Sequence, residues 1–280
     1  MSHHVRFSFS HAQRAYPLYA AEKENTMYQR ATVVRNEQVI PGYMRMEVRA
    51  AEMAAAAQPG QFMMLRAWEG HVPFLPRPIS INYADPAAGT LTFLYKVTGE
   101  GTERMAALRA GDGIQALGPL GHGFPLPDAQ GALALIGRGI GIAPLRLLAG
   151  WGLARGHQIY AYLSAQSTQM LFDSQELTAM GAIVRSSADD RHRVTDLFAQ
   201  DLKDHIFAAA YSCGSQRLMR EMHALGRQYG FPTYVSLEEH MACGVGACKG
   251  CVCETHDRQG RRQYETVCHC GPVFPTERIV

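Results

Sequence analysis

The chain has 280 residues, 47% of them hydrophobic, with 27 basic and 25 acidic side chains and a formal net charge of +2. This length suits about two domains of ~150 residues and a third small module, so a soluble globular protein is expected. The near balance of charge argues against a nucleic-acid-binding protein and against a polybasic membrane anchor. No apolar stretch approaches the ~18 residues that a membrane-spanning helix needs.

Residues 1–26 contain histidines and arginines but no continuous apolar segment, so no secretory signal is expected. We interpret them as a flexible N-terminal extension. Met27 stands directly before the first strand-like run, and a translation start at this residue is an equal alternative.

Residues 27–127 read as short strands separated by Pro-Gly, Ala-Gly and Gly-Asp turns. This pattern predicts an antiparallel β-barrel or sandwich. One helix, Thr102 to Leu108, interrupts the strands. The predicted strands are Gln29–Val34, Tyr43–Val48, Gln61–Leu65, Ile79–Asn82, Leu91–Val97 and Gly113–Leu117.

Residues 128–231 change to an alternation of strands and helices, which indicates parallel βαβ units. An apolar strand, Ala132 to Ile136, leads through a glycine-rich turn into a helix from Pro144 to Arg155. A second helix is predicted from Gln216 to Tyr229. The other runs, grouped with the strand candidates, are Gln158–Leu163, Ala182–Arg185, Val194–Phe198 and Ile206–Cys213.

Residues 232–280 show little periodicity and hold six of the seven cysteines. Such a concentration favours one metal site over disulfides and predicts a reducing cytoplasm. The thiols follow the spacing C-x4-C-x2-C with a later fourth cysteine, which is the plant-type ferredoxin order for a 2Fe-2S cluster. Small residues between them let backbone N–H groups point at the sulfurs. The predicted ligands are Cys243, Cys248, Cys251 and Cys268.

Two alternatives stay open for this cluster of cysteines. A structural zinc site also uses four thiolates, although zinc sites more often pair two C-x-x-C knuckles. Cys270 and Cys253 stand close to the chosen ligands in sequence, and Cys270 is a rival for the fourth position. A Rieske-type centre would need two histidines on one iron, and only His269 lies within the spacing.

The strand that ends at Ile136 is followed by a turn, Gly137 to Pro144, that enters a helix. Glycines there would let a phosphate approach the free N–H groups of a helix start. The strict G-x-G-x-x-G motif fails at Ile142, so an ordinary Rossmann motif is not assigned. Cys213 is either a small buried thiol or part of a ligand site at the end of a parallel strand. The nucleotide-binding candidates are Gly137, Gly139, Gly141, Cys213 and Gly214.

The strand Gln158–Leu163 runs into Ser164–Gln169, where no Lys or Arg stands to bind a 2′-phosphate. NADH is therefore predicted to be preferred over NADPH.

Two segments of the predicted barrel suit a flavin dinucleotide. Arg77 to Ser80 joins a cation, a rigid turn and a hydroxyl, and Gly99 to Thr102 opens a helix whose N–H groups can bind a pyrophosphate. Each segment could also be an ordinary turn. The flavin-binding candidates are Arg77, Pro78, Ile79, Ser80, Leu94, Tyr95, Lys96, Gly101 and Thr102.

Together these motifs resemble the ferredoxin-reductase superfamily, and most closely the family of dihydroorotate dehydrogenase B electron-transfer subunits, over residues 27–280. The stretch from Glu238 to Cys251, with Val267 to Phe274, is the most specific part of the resemblance. It implies a multidomain β plus α/β fold: an antiparallel FAD-binding β-barrel (27–127), a parallel-sheet α/β domain that binds NAD(H) (128–231) and a 2Fe-2S module (232–280).

The resemblance also implies a function. The chain would be an NAD-dependent oxidoreductase subunit of pyrimidine biosynthesis that passes electrons to an FMN-containing dihydroorotate dehydrogenase catalytic subunit, in a heterotetramer without nucleic acid or membrane. No residue is assigned as a general acid or base, because the flavin carries the chemistry. Other readings are an NAD(P)H:ferredoxin-type or hydrogenase-linked reductase subunit, and a zinc-stabilised interaction protein without redox activity.

The chain departs from the family pattern at two places. Ser215 follows Cys213-Gly214 where a proline is usual, which weakens the nicotinamide assignment of Cys213. His269 and Cys270 follow Cys268 where an acidic residue is common, which keeps Cys270 as a rival ligand.

Overall fold

The structure, a computed structural model, describes residues 27–129, 131–188 and 193–279. The interpretation of residues 1–26 as an extension lies outside the described residues. Within these ranges, no helix has both the length and the apolar content needed to cross a bilayer.

The first unit is a closed antiparallel barrel, and the barrel prediction is confirmed. Its strands are β1 (Met27–Ile40), β2 (Tyr43–Arg49), β3 (Phe62–Arg66), β4 (Arg77–Asp85), β5 (Thr90–Lys96) and β6 (Gly113–Leu120), with helices α1 (Ala51–Ala56) and α2 (Glu100–Ala106) between them. They close in the order β1-β2-β5-β4-β3-β6. In β2, Met44, Met46 and Val48 are buried at every second position. This alternation places one face of the strand in the barrel core.

The second unit alternates strands and helices, as predicted. The alternation runs through β7 (Ala132–Arg138), α3 (Arg146–Ala154), β8 (Gln158–Ser164), α4 (Ser174–Ala179), β9 (Ile183–Ser187), α5 (Val194–Asp201), β10 (Phe207–Cys213), α6 (Gln216–Tyr229) and β11 (Thr233–Ser236). Strands β7 and β8 are almost continuously buried. Such runs are typical of parallel strands that helices cover on both faces.

Two local predictions differ from the structure. The run Val194–Phe198, grouped with strand candidates, is helical, and its buried positions Val194, Phe198 and Asp201 follow helical spacing. The helix expected from Pro144 begins at Arg146, because Gly139–Leu145 forms a 3₁₀ turn first.

The C-terminal module contains a hairpin, β12 (Val252–His256) and β13 (Arg262–Thr266), a short helix, α7 (Val267–Cys270), and a last strand, β14 (Val273–Pro275). Strand β14 pairs antiparallel with β11, so the large sheet has the order β14-β11-β10-β7-β8-β9. The module's core also includes residues of the barrel: Phe62, Met64 and Leu120 pack with Val267 and Phe274. The module is therefore anchored to both larger units.

A buried ion network joins the barrel to the α/β unit. The Asp173 side chain is fully buried and accepts hydrogen bonds from Arg45 at 2.7 Å and from Asn82 at 2.6 Å. Arg146 lies 3.7 Å from the same carboxylate, and Arg45 also contacts Glu176. Because the partners come from β2, β4, α3 and α4, this network fixes the orientation of the two units at their contact.

Candidate functional site

The predicted nucleotide-binding residues converge at one edge of the parallel sheet. Cys213, the last residue of β10, pairs with Gly137 of the neighbouring β7. Gly141 packs so closely on this edge that a Cβ atom there would lie 2.5 Å from the Cys213 carbonyl oxygen. Gly139 and Gly214 both have positive φ. Only glycine permits this close approach of the turn to the end of β10, and the carboxyl ends of the strands are the place where α/β sheets bind ligands.

A cavity of about 340 Å³ opens at this edge. It lies between the glycine turn, the start of α6 and the chain that follows β11. Ser215, the departure from the usual proline, begins α6, and its hydroxyl accepts a hydrogen bond from the Leu218 N–H at 3.4 Å. Residues that line the cavity include Arg138, Ile140, Gly141, Gly214, Met219 and Glu238.

Glu238 is a site residue that sequence reasoning did not single out. The Cys213 thiol donates to Glu238 Oε1 at 3.7 Å. Burial raises the pKa of Cys213 well above its ordinary value, and the Glu238 carboxylate raises it further. The thiol is therefore protonated at neutral pH and serves as a hydrogen-bond donor. No local sequence signal marks this pair, because its members lie 25 residues apart.

The structure brings together the two predicted flavin segments. The Arg77 guanidinium lies against the first turn of α2, where a Cβ atom on Gly101 would meet Arg77 Nε at 2.5 Å. Pro78 and Ser80 are on the same strand, and Ile79 packs against the barrel core. A cation beside backbone without a side chain fits the diphosphate of a dinucleotide.

The Thr102 hydroxyl is engaged within its own turn. It accepts hydrogen bonds from the N–H groups of Thr98 at 2.9 Å and Gly99 at 3.2 Å, and it donates to the Gly99 carbonyl at 2.8 Å. Thr102 thereby shapes the start of α2, and its hydroxyl is not directed at a ligand.

The β5 candidates do not converge on Arg77 through their side chains. The Tyr95 ring is buried in the barrel core, where its hydroxyl donates to Asn36 Oδ1 at 3.3 Å, and burial raises its pKa. Leu94 is buried among residues of the α/β unit. The Lys96 ammonium lies 5.8 Å from the centre of the Tyr43 ring. Any ligand contact of Tyr95 is therefore confined to its backbone.

The four predicted metal ligands lie together as two contacting pairs, Cys243 with Cys248 and Cys251 with Cys268. The Cys248 N–H donates to Cys243 Sγ at 3.4 Å, and the Cys268 N–H donates to Cys251 Sγ at 3.3 Å. The Gly246 N–H donates to Cys268 Sγ at 3.1 Å. Backbone donors aimed at sulfur are the surroundings that a thiolate cluster requires.

The pKa values of these thiols reflect the same contacts. Burial opposes ionisation of Cys243, but the N–H groups of Cys248 and Val245 outweigh it and lower the pKa to about 7. Burial and the neighbouring Cys251 raise the pKa of Cys268 to about 12. Within the described ranges, no three Cys, His, Asp or Glu side chains converge as ligands of a single ion. The paired arrangement suits a cluster of two irons, each of which takes two thiolates.

The cluster loop rests directly on the strand next to the flavin segment. Gly244, with φ +75°, packs on Met64 so closely that a Cβ atom would lie 2.6 Å from Met64 Cγ. Met64 of β3 is in turn paired with Pro78 of β4. The loop that carries the thiols therefore packs on β3, the strand that is paired with the one that carries the flavin candidates.

A closed barrel, a parallel sheet with a glycine-lined cavity and a module of four thiols define a flavin- and nucleotide-dependent reductase with an iron-sulfur centre. The fold agrees with solved structures. The NADH-dependent reduced ferredoxin-NADP oxidoreductase, a structure that concerns flavin-based electron bifurcation, has a TM-score of 0.77 at 24% identity, over 89% of both chains. The Neisseria gonorrhoeae ferredoxin NADP+ reductase has a TM-score of 0.59 at 19% identity, over 72% of this chain and 92% of that one.

Relatives define the family more narrowly. Residues 238–280 match the iron-sulfur cluster binding domain of dihydroorotate dehydrogenase B. The electron transfer subunit of dihydroorotate dehydrogenase B (NAD(+)) from Bacillus cereus is 34% identical over 90% of this chain and 98% of its own length, as is that from Bacillus thuringiensis. The chain belongs to the family of dihydroorotate dehydrogenase B electron transfer subunits. The expected oxidoreductase class, electron-transfer function and cofactor types are thereby confirmed.

Proposed function

We propose that this chain carries electrons between an FMN-containing subunit, which oxidises dihydroorotate in pyrimidine biosynthesis, and NAD(H), through a 2Fe-2S cluster and FAD. The observation that carries the proposal is the contact chain from Pro78 through Met64 to Gly244. Because Met64 of β3 contacts the cluster loop and is paired with the strand of the flavin candidates, it supports electron transfer between the two proposed cofactor sites. Oxidation of dihydroorotate releases electrons at the catalytic partner, and the relatives are named for NAD(+), so family membership supports a net flow from the partner to the nucleotide.

The residues at the sheet edge would bind the dinucleotide. Gly139, at which an added Cβ would meet nothing within 4 Å, would leave the turn open to a phosphate. Gly137 and Gly141 let the turn pack closely on Ile142 and on the end of β10. The hydrogen bond from Cys213 to Glu238 holds an acid at the wall of the cavity. When bound, the flavin would exchange electron pairs with the nucleotide and single electrons with the cluster. The chain itself positions groups and excludes water.

In the barrel, Arg77 and the start of α2 would hold the FAD diphosphate, and Ser80 would lie towards the flavin ring. The proposed cluster ligands are Cys243, Cys248, Cys251 and Cys268. Cys268 is favoured over Cys270 because its N–H donates to Cys251 Sγ and its own Sγ accepts a hydrogen bond from the Gly246 N–H. Cys253 lies apart from this pairing, with a pKa raised to about 11 by burial and nearby carboxylates.

The partner is proposed to dock where the cluster loop is exposed, in a heterotetramer in the cytoplasm. Val245 beside Gly244 is 45% exposed and is a candidate apolar contact. Phe274 is fully buried and cannot meet a partner, while Met241 is partly buried against the module core. The proposed units are residues 27–127, 128–231 and 232–280; β11 and β14 fall within the last range by sequence but belong to the large sheet of the second unit.

The test is purification of the chain with and without its catalytic partner. The isolated chain should contain flavin and about two irons, and with NADH it should reduce artificial acceptors. It should oxidise dihydroorotate only after an FMN-containing subunit is added. Turnover of dihydroorotate by the isolated chain would overturn the proposal. Stoichiometric zinc without flavin bands would favour a non-redox protein, and reduction of ferredoxin without binding to the FMN subunit would favour a ferredoxin-type reductase.

A further inference from the structure

Trp68 is a buried aromatic residue in the loop between β3 and β4. It is only 6% exposed, yet among the described residues it belongs to none of the four apolar core clusters. Its Nε1–H donates to the Pro73 carbonyl at 2.6 Å, which fixes the plane of the indole. A buried tryptophan outside the apolar cores requires another account of its position.

Two guanidinium groups surround this indole. Arg77 lies 5.5 Å and Arg66 lies 5.8 Å from the ring centre, both within cation–π range. Arg66 also donates to the Gly70 carbonyl, which keeps it within the loop. Arg77 is the one that reaches a ligand-binding element, because it contacts the first turn of α2 at Gly101.

The Arg77 guanidinium thus contacts both the Trp68 ring and the glycine backbone of α2. A free arginine side chain loses substantial rotamer entropy when it binds a diphosphate. An indole that already holds the cation in place reduces that loss. The Arg77 Nη1–H donates to the Leu75 carbonyl, which also restrains the side chain. The cation–π contact uses the flat face of the guanidinium, so its other N–H groups stay available to phosphate oxygens.

We propose that Trp68 is a positioning residue for the flavin cofactor: it holds Arg77 at the start of α2, in the orientation that binds the FAD diphosphate. This inference rests on the proposed function, in which Arg77 contacts FAD. Trp68 itself acts through Arg77 and through the loop that Pro73 anchors.

The test is a double-mutant cycle on the full-length chain stripped of flavin and titrated with FAD by calorimetry. Trp68→Leu should weaken FAD binding about tenfold in the wild-type background, which lies between the values for exposed and for desolvated cation–π pairs, because Arg77 is partly buried. In an Arg77→Gln background the same change should have little further effect, because the group it positions is gone. Trp68→Phe, which keeps an aromatic face but lacks the N–H, should bind FAD with intermediate affinity.

Trp151→Leu is the matched control, since its indole also holds an arginine, Arg155, at 5.1 Å. Trp151 lies on α3. This helix packs beside Tyr83, which is at the opposite end of β4 from Arg77. This variant should bind FAD as the wild type does. Iron content and melting temperature are measured for every variant, so that a folding defect is seen as such.

Equal loss of FAD affinity from Trp68→Leu in both backgrounds would assign the indole a merely structural role and overturn the inference. No loss in either background would overturn it as well. If Trp68→Leu does not fold, the cycle is run with Trp68→Phe, and the same two outcomes decide. Failure of the wild-type chain to bind FAD is a separate result, which would refute the proposed function.

Discussion

Replacement of Gly244 by alanine tests whether the cluster loop depends on its contact with the barrel. Gly244 has φ +75°, and an added Cβ would lie 2.6 Å from Met64 Cγ and 3.2 Å from Leu120 Cδ1. The left-handed backbone costs about 1 kcal/mol for a non-glycine residue. Overpacking of a buried contact adds about 1–3 kcal/mol. The total expected loss of folding free energy is therefore about 2–4 kcal/mol.

Gly260 supplies a matched control in the same module. It also has φ +75°, but nothing lies within 4 Å of its added Cβ, so Gly260→Ala retains the backbone strain without the clash. For a chain of this size each kcal/mol corresponds to about 2–4 °C, so Gly244→Ala should melt about 2–12 °C below Gly260→Ala. Calorimetry, with iron and flavin absorbance recorded in parallel, measures the difference. Met64→Ala should relieve part of the defect when combined with Gly244→Ala.

Equal melting temperatures for Gly244→Ala and Gly260→Ala would refute the reasoning, because they would show that the loop is free to move away from Met64. A defect in Gly244→Ala that Met64→Ala does not reduce would show that the lost stability has another origin than this contact.

Three further predictions concern the ligands, the contact between units and the nucleotide. Cys268→Ser should lose the iron-sulfur absorbance and electron paramagnetic resonance signal while Cys270→Ser keeps both; the reverse result would exchange their roles. Burial opposes ionisation of Glu176, but its backbone contact and Arg45 lower its pKa below the ordinary 4.5, so its stabilising effect exists above that pH and is lost as pH falls through the lowered value. Glu176→Gln should therefore melt below the wild type at neutral pH, with a gap that closes on acidification; a gap independent of pH would contradict this. NADH should reduce the flavin faster than NADPH at equal low concentration, and Gln166→Arg, at an exposed position after β8, should narrow the difference; equal rates in the wild type would defeat the prediction.

The fold was predictable where a local pattern carries the information. The alternation in β2, the apolar run of β7 and the spacing of the cysteines each depend on neighbours in sequence, and each was interpreted correctly as to class. The helix at Val194 is not recognisable from the sequence because the run Val194–Phe198 has only five residues. Its first and last residues are apolar and four positions apart, which fits both a strand period and a helix period. Strand β14 has three residues, too few for any period to be recognised.

The site was less predictable because its contacts are long-range. Sequence spacing alone did not link Cys213 with Glu238, or Met64 with Gly244, since each pair meets only after the sheet and barrel have formed. Tyr95 shows that a local motif does not determine the direction of a side chain. A strand motif places the residue beside a ligand, but the alternation of side chains decides whether its ring points to the ligand or into the barrel core.

The chain that carries the four thiols leaves the large sheet at β11 and rejoins it at β14, where Val235 pairs with Phe274. Both ends of this excursion are therefore held by strand pairing that does not involve iron. Because the sheet already holds the two ends of the loop together, less conformational entropy is lost when the ligands assemble around a cluster. Removal of iron should consequently disorder a bounded loop rather than detach the C-terminus, and the cluster could be rebuilt without refolding of the nucleotide-binding sheet.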